Sequence, residues 1–351
     1  MASASPALNA ARIRRTTSTF SDDIAGPVSL RGGGVRLHSG PGRSALRRPA
    51  RGRHGTCAGR TCGRAPLPSL GDVDEFGAIV LAGGRSSRMG TPKAGLEWHG
   101  STLLRRAVGL VGRTVDVPVV VVRAAGQELP ALPACVEIVQ DAHEGRGPLA
   151  GIAAGLAVLA GRAETAFVTS TDAPLLHPAF VHHVVRALDG EHDVAVPEAH
   201  GHRHPLAAAY RTALAPVVGE LVAGRRLRTA ALLERCRPQR LDDRALLADP
   251  AIAALDPELD SLLNLNEPAD YEAARARPAP VVSVRCSGAL RREGNPLAAR
   301  AATLAHTAAA VKLVLDEHVL VTLNGEAIAP DPEVPLATGD AVAFLTAGAG
   351  R

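Results

Sequence analysis

No stretch of the 351-residue chain approaches the roughly 18 consecutive apolar residues of a membrane-spanning helix, and no apolar signal core follows the N-terminal charges. A membrane-bound or exported protein is therefore not expected, and a cytoplasmic one is. Cysteine is sparse, and Cys57, Cys62, Cys135, Cys236 and Cys286 fall at no zinc-ligand spacing, so the sequence points to free thiols in a reducing compartment. Lysine is absent from residues 1–70, where twelve arginines face only Asp22 and Asp23. That stretch carries +10 of formal charge in a chain whose total is +4, which leaves residues 71–351 at −6. The basic balance belongs to the tail and is no sign of a nucleic-acid partner for the folded part.

Residues 1–72 also lack any apolar period of 2 or 3.6. A segment such as RGGGVRLHSGPGRSALRRPARGRHG cannot bury enough surface to offset its chain entropy, so a disordered tail is expected. Its Arg- and Ser-rich, acid-poor composition also resembles a transit peptide. Methionine occurs only at Met1 and Met89, so a start later than Met1 and ahead of the first strand would need another codon, with Val73 the natural one.

Past the tail the texture changes. Short β-branched runs at Phe76–Leu81, Pro118–Val122, Val136–Val139 and Ala166–Thr169 alternate with helix-like stretches at Thr102–Val111, Leu149–Leu159 and Pro178–Leu188. Strands alternating with helices predict βαβ units, hence an α/β, Rossmann-like, mostly parallel sheet over residues 73–278. Ligands of such sheets bind beyond the carboxyl ends of the strands.

Four motifs fall at those ends. In Leu81-Ala82-Gly83-Gly84-Arg85-Ser86-Ser87-Arg88-Met89-Gly90-Thr91-Pro92-Lys93, paired glycines let backbone approach a phosphate or base, and Arg88 and Lys93 supply positive charge. The loop has neither the GxxxxGK[ST] of a P-loop nor the GxGxxG of a dinucleotide site. Asp172 follows the run Ala166–Thr169, with Pro174 two residues on; such a carboxylate either holds Mg²⁺ against phosphate oxygens or merely caps a turn. Asp141 ends the third strand and precedes Gly147-Pro148, where a helix N-terminus could face a nucleotide; an ordinary βα connection looks the same. In Asn264-Leu265-Asn266-Glu267-Pro268-Ala269-Asp270, alternation predicts a short strand with both Asn side chains on one face, then a helix from Pro268.

The run LAGG-x₃-RMG-x₂-K resembles the signature loop of the nucleotidyltransferases, and GPLAG after an Asp, together with the NLNEPAD element, is similar to the molybdenum cofactor guanylyltransferases. His202-Arg203-His204-Pro205-Leu206 and Gly224-Arg225-Arg226-Leu227-Arg228 resemble two further stretches of that family. The likeness spans roughly residues 76–275, with Pro92, Arg123 and Glu267 as departures where the family often has Asp, Asn and Thr. It implies transfer of GMP from GTP to the phosphate of molybdopterin, with Arg88, Lys93 and Asp172 as catalytic residues. It further implies Leu81, Ala82, Gly83, Gly84, Lys93, Asp141 and Asp172 around the nucleotide, and Mg²⁺ on Asp172. Cytidylyl transfer to molybdopterin, transfer to a sugar 1-phosphate, and a non-catalytic nucleotide-binding or carrier protein are the alternatives.

Pro278 and Pro280 mark a linker. Beyond it Val281–Cys286 reads as a strand, Leu297–Leu315 as an Ala-rich helix, Val319–Leu323 as a second strand before Asn324-Gly325, and Pro335–Leu345 as a Gly-Asp turn with a last strand. Residues 281–351 thus resemble the β-grasp (ubiquitin-like) sulfur carriers of the MoaD/ThiS type, which implies a link to molybdopterin-synthesis proteins. Those carriers end in Gly-Gly, whereas this chain ends Ala349-Gly350-Arg351.

Overall fold

The computed structural model describes residues 76–83, 92–141, 147–290 and 295–346. The expected tail, Gly84 and Arg88 of the glycine loop, and the terminal Ala349-Gly350-Arg351 lie outside them.

The first part of the chain runs β1 (Phe76–Leu81), β2 (Glu97–Trp98), β3 (Ser101–Thr102), α1 (Leu103–Gly112), β4 (Val119–Arg123), β5 (Glu137–Gln140), α2 (Pro148–Leu159), β6 (Thr165–Ser170) and α3 (Pro178–Arg186). It continues through β7 (Val194–Ala199), β8 (His202–Arg203), β9 (Ala208–Arg211), α4 (Ala215–Ala223), α5 (Thr229–Leu233), β10 (Pro238–Asp242), α6 (Asp243–Leu247), α7 (Pro250–Leu255) and α8 (Pro268–Arg275). The main sheet has the order β10-β7-β9-β6-β1-β4-β5, with β8 paired to β7. β5, β4, β1 and β6 are mutually parallel, and β9 runs against β6 and β7. This is the α/β, mostly parallel arrangement expected from the alternation of runs.

Both faces of the sheet are covered, which is why β1 and β6 are buried at every position instead of alternating. One core packs α1, α3 and α7 on the sheet through Leu104, Val108, Phe180, Val181 and Ile252. The other packs α2 and α4 through Leu149, Ile152, Leu156, Val218 and Leu221. Each such fully buried side chain contributes about 1.5–3 kcal/mol. α2 lies close on β1 because it offers glycines there: a Cβ on Gly155 would sit 2.6 Å from the Ile79 side chain, and one on Gly151 2.9 Å from Leu81.

The C-terminal part adds β11 (Val281–Ser287), β12 (Leu297–Arg300), α9 (Leu304–Ala310), β13 (Val319–Leu323), β14 (Glu326–Ile328) and β15 (Ala341–Thr346). Its sheet has the order β12-β11-β15-β13-β14, parallel between β11 and β15 and antiparallel elsewhere. α9 contributes Leu304 and Ala308 to a core with Val282, Val284, Val321 and Phe344. That is the β-grasp arrangement. The helix expected over Leu297–Leu315 is corrected in one respect: Leu297–Arg300 forms a strand, and the helix is only Leu304–Ala310. Pairing of Leu297–Arg300 with Val281–Val284 outweighs the local helix preference of the alanines. Lys312, in the left-handed region at φ 53°, ends the helix while the Leu313 N–H donates to the Ala308 carbonyl at 2.8 Å.

This second sheet is packed against the first part of the chain. A Cβ on Gly109 of α1 would meet Pro335 at 2.5 Å, and one on Gly339 would meet Leu255 at 2.6 Å. Arg113 pairs with Asp340 at 2.7 Å, and His177 contacts the Thr338 carbonyl at 3.0 Å.

Candidate active site

The site is built from strand ends. Parallel registers place Leu81 beside Val122 and beside Ser170, and Arg123 beside Gln140, so the residues following β1, β4, β5 and β6 emerge along one edge. The row is tied across: Thr171 N–H donates to the Leu81 carbonyl at 3.3 Å, and Asp141 N–H to the Arg123 carbonyl at 2.7 Å.

Asp172 stands two residues beyond β6. Ser170 donates its hydroxyl to Oδ1, and Lys93 Nζ lies 3.3 Å from Oδ2. Lys93 reaches there from a single turn, Lys93–Gly95, which Ala94 anchors by burial in the core. The third member of the cluster is backbone: Lys93 also donates to the Leu265 carbonyl, and Leu265 N–H donates to the Asp172 carbonyl at 2.8 Å. The NLNEPAD element is thus brought to Lys93 and Asp172 from more than 90 residues away in sequence.

The element is not a strand, however. Asn264 and Asn266 are exposed on either side of fully buried Leu265, which packs with Trp98, Leu103 and Ala274. Among the described residues the segment has no β-strand partner; its shape is set by that anchor and by Asp270, whose Oδ2 accepts the N–H groups of Asn266 and Glu267 at 2.9 Å each. Those two bonds cap α8.

Asp141 is not part of this cluster. β6 and β5 are separated by β1 and β4, three strand spacings or roughly 14 Å. Beyond Asp141, Gly147 caps α2 at φ 86°, a backbone conformation suited to glycine. A Cβ there would also meet the Leu227 carbonyl at 3.4 Å, so the Gly224–Arg228 stretch lies beside the N-terminus of α2.

The N–H groups of Ala82 and Gly83 both donate to the Val122 carbonyl, at 2.8 and 3.1 Å. They are therefore engaged with the sheet. Gly83 has a steric reason as well, since a Cβ would sit 3.0 Å from the Ala124 nitrogen. Gln127, which nothing in the motif pattern singled out, braces this corner: its amide donates to the Ala82 carbonyl at 2.9 Å and its oxygen accepts from Ala124 N–H at 3.0 Å. Arg123 donates to the Gln127 carbonyl at 2.8 Å.

The His200–His204 stretch is a hairpin, turning through His200 and Gly201 at φ 53° and 77° between β7 and β8. Burial holds the His204 imidazole below the ordinary histidine range, and its ring contacts the Ala199 carbonyl at 3.2 Å. Tyr210, fully buried, donates to the Pro205 carbonyl at 2.7 Å and so fixes the His-Pro-Leu segment.

The model of the MobA-like NTP transferase domain matches residues 78–243. The probable molybdenum cofactor guanylyltransferase of Mycobacterium ulcerans (strain Agy99) is 39% identical over 189 residues, covering 52% of this chain and 92% of the relative. This chain belongs to the MobA-like NTP transferase family. It is a nucleotidyltransferase of molybdenum cofactor biosynthesis. The counterpart from Mycobacterium avium (strain 104) is 36% identical to the transferase over 213 residues, 59% of this chain and 100% of the relative, so this chain has a portion that relative lacks. A solved structure, molybdopterin-guanine dinucleotide biosynthesis protein A from Archaeoglobus fulgidus, is similar with TM-score 0.46 and 22% identity, over 57% of this chain and 96% of that one.

A divalent ion was expected on Asp172. Among the described residues no group of three or more His, Cys, Asp or Glu could form a complete cage. The donors present, one carboxylate at a strand end with a serine hydroxyl beside it, are hard oxygens. They fit Mg²⁺, which takes one or two carboxylates and completes its shell with phosphate and water. No described helix is long and apolar enough to cross a membrane.

Proposed function

We propose that this transferase moves GMP from GTP to the phosphate of molybdopterin and releases pyrophosphate. The meeting of Lys93 and Asp172 over the Leu265 backbone, at the edge where the ends of β1, β4, β5 and β6 emerge, carries the reading. The names of the mycobacterial relatives, probable molybdenum cofactor guanylyltransferases, support guanylyl transfer toward that cofactor.

In this reaction an oxygen of the acceptor phosphate forms a bond to the α-phosphorus of GTP. The bond from that phosphorus to the α,β-bridging oxygen breaks in line, and the electron pair leaves on pyrophosphate. Protein groups need not form covalent bonds; positioning and charge neutralisation do the work. Asp172, steadied by Ser170, would hold Mg²⁺, which when bound supplies positive charge to the phosphate oxygens. Lys93, whose ammonium lies beside Asp172, is assigned the neutralisation of negative charge as the pyrophosphate departs, and Arg88 the same task from the glycine loop. Ala82 and Gly83 fix where that loop leaves the sheet. Asp141 and the N-terminus of α2, at the far end of the row, are assigned to the nucleoside portion.

The test is pyrophosphate release with GTP, CTP, ATP and UTP, each with and without molybdopterin. Release that requires both GTP and molybdopterin is expected. A preference for CTP would make the enzyme a cytidylyltransferase, and release indifferent to molybdopterin would refute the acceptor.

A further inference from the structure

Helix α1 and the residue that caps its C-terminus carry three arginines that reach the C-terminal β-grasp domain. Arg105 pairs with Asp331 and, at 3.1 Å, with Glu333; Arg113 pairs with Asp340. Arg106 lies between them and, among the described residues, has no carboxylate in hydrogen-bond contact. It is 4% exposed, and its guanidinium donates to three carbonyls: Ala302 at 3.4 Å, Leu336 at 3.3 Å, and Pro174. Desolvation, with a smaller push from Arg113 and an opposing pull from Asp340, brings its pKa down to about 10.

An apolar side chain of similar volume would fill this space without the penalty of burying a charge. Packing alone therefore does not account for an arginine here. Its acceptors do. Two belong to the β-grasp domain, and the third is two residues after Asp172. A planar guanidinium with its donors in a fixed fork spans such a set, which a single ammonium cannot. Among the described residues the other backbone ties on the Asp172 loop are Thr171 N–H to Leu81, Leu265 N–H to the Asp172 carbonyl, and Leu176 N–H to Ala173 at 3.3 Å, while Ser170 and Lys93 contact the carboxylate itself.

We infer that Arg106 is a positioning residue through which the β-grasp domain holds the Pro174 carbonyl and, with it, the Asp172 carboxylate. The C-terminal domain is then a working part of the transferase site. The effect on catalysis rests on the reading of Asp172 given above; the effect on the loop does not.

The experiment uses the full chain and two readouts: hydrogen exchange of the peptide containing residues 171–176, and steady-state pyrophosphate release with GTP and molybdopterin. Arg106→Met should speed exchange at Thr171 and Leu176 and lower kcat roughly tenfold or more, with the KM for GTP little changed. Arg106→Lys should fall between wild type and Arg106→Met in both readouts. Arg105→Gln, which loosens the same interface without touching Pro174, should leave both readouts at the wild-type level. Wild-type exchange over residues 171–176 in the Arg106 variants, or equal loosening by Arg105→Gln, would overturn the inference. If Arg106→Met does not fold, Arg106→Lys against Arg105→Gln decides it by the same criteria. Asp172→Asn is run beside them: full transfer in that variant would remove the catalytic reading of Asp172 while the exchange data still judge the role of Arg106.

Discussion

Asp340→Asn is a change of one atom whose consequence can be worked through the hydrogen bonds. Oδ2 of Asp340 accepts from Arg113 and from Ala337 N–H, each at 2.7 Å, and Oδ1 accepts from the Asn324 amide at 2.9 Å. Asparagine has one acceptor oxygen. If that oxygen faces Arg113 and Ala337, the new NH₂ faces the Asn324 NH₂. Flipping Asn324 does not resolve the conflict, because its own oxygen already accepts Ala341 N–H at 2.8 Å. One donor is left unsatisfied in either arrangement, at about 1–3 kcal/mol, and Arg113 also loses the charge that compensates its burial. Removing one partner of a buried pair costs about 3–5 kcal/mol, and the retained amide oxygen returns part of that, so the expected loss is about 3 kcal/mol. For a chain of this size, with about 2.1 cal/mol/K of unfolding entropy per residue, that lowers the thermal midpoint by roughly 4–5 °C, read by circular dichroism or calorimetry. The double variant Arg113→Met with Asp340→Asn should recover part of the loss, since it leaves no unpaired charge. A midpoint within about 2 °C of wild type for Asp340→Asn would show that this contact is not closed in solution and would refute the packing of the two sheets described above.

Lys93→Met should weaken GTP binding about 10- to 100-fold, the value of a charge-assisted contact, with no loss of folding; isothermal titration against GTP checks it. His182, beside the Phe76 ring, is held neutral down to about pH 4, chiefly by burial, with Arg186 pushing the same way and Asp116 opposing. The unfolded chain takes up that proton from about pH 6.5, so stability falls as pH drops from 6.5 to 4, by up to about 3 kcal/mol. His182→Leu should flatten that part of a urea-midpoint profile, and an unchanged slope would be the contrary result. Gly155→Ala should destabilise by about 1–3 kcal/mol, although alanine favours helix by about 1 kcal/mol, because the added methyl meets Ile79; a denaturation curve equal to or better than wild type would contradict the close helix–sheet contact.

Much of the first part was legible in the chain itself. The continuous apolar runs of β1, β4 and β6 mark strands buried on both faces, and a carboxylate or glycine just beyond such a strand must emerge at the carboxyl edge whatever the rest does. Asp141 and Asp172 could be nominated on that ground, because strand direction and helix return are local consequences of period and turn chemistry; Lys93 is nominated by its place in the glycine-loop motif. For residues 281–351 the first, the Val319–Leu323 and the last strand and the turns at Asn324-Gly325 and Gly339-Asp340 were readable, and the β-grasp fold came from the resemblance they carry; the strand Leu297–Arg300 was not. Local preference failed where partners come from elsewhere. Leu297–Arg300 has helix-forming alanines but pairs with β11, and Asn264–Asn266 alternates like a strand without neighbours to make it one. Tertiary structure alone decided that Leu265 offers its backbone to Lys93 and Asp172, that Asp141 stands three strands away, and that Arg106 joins the second sheet to Pro174. Contacts of this kind run through backbone carbonyls, which every residue possesses, so no side-chain pattern along the chain can announce them.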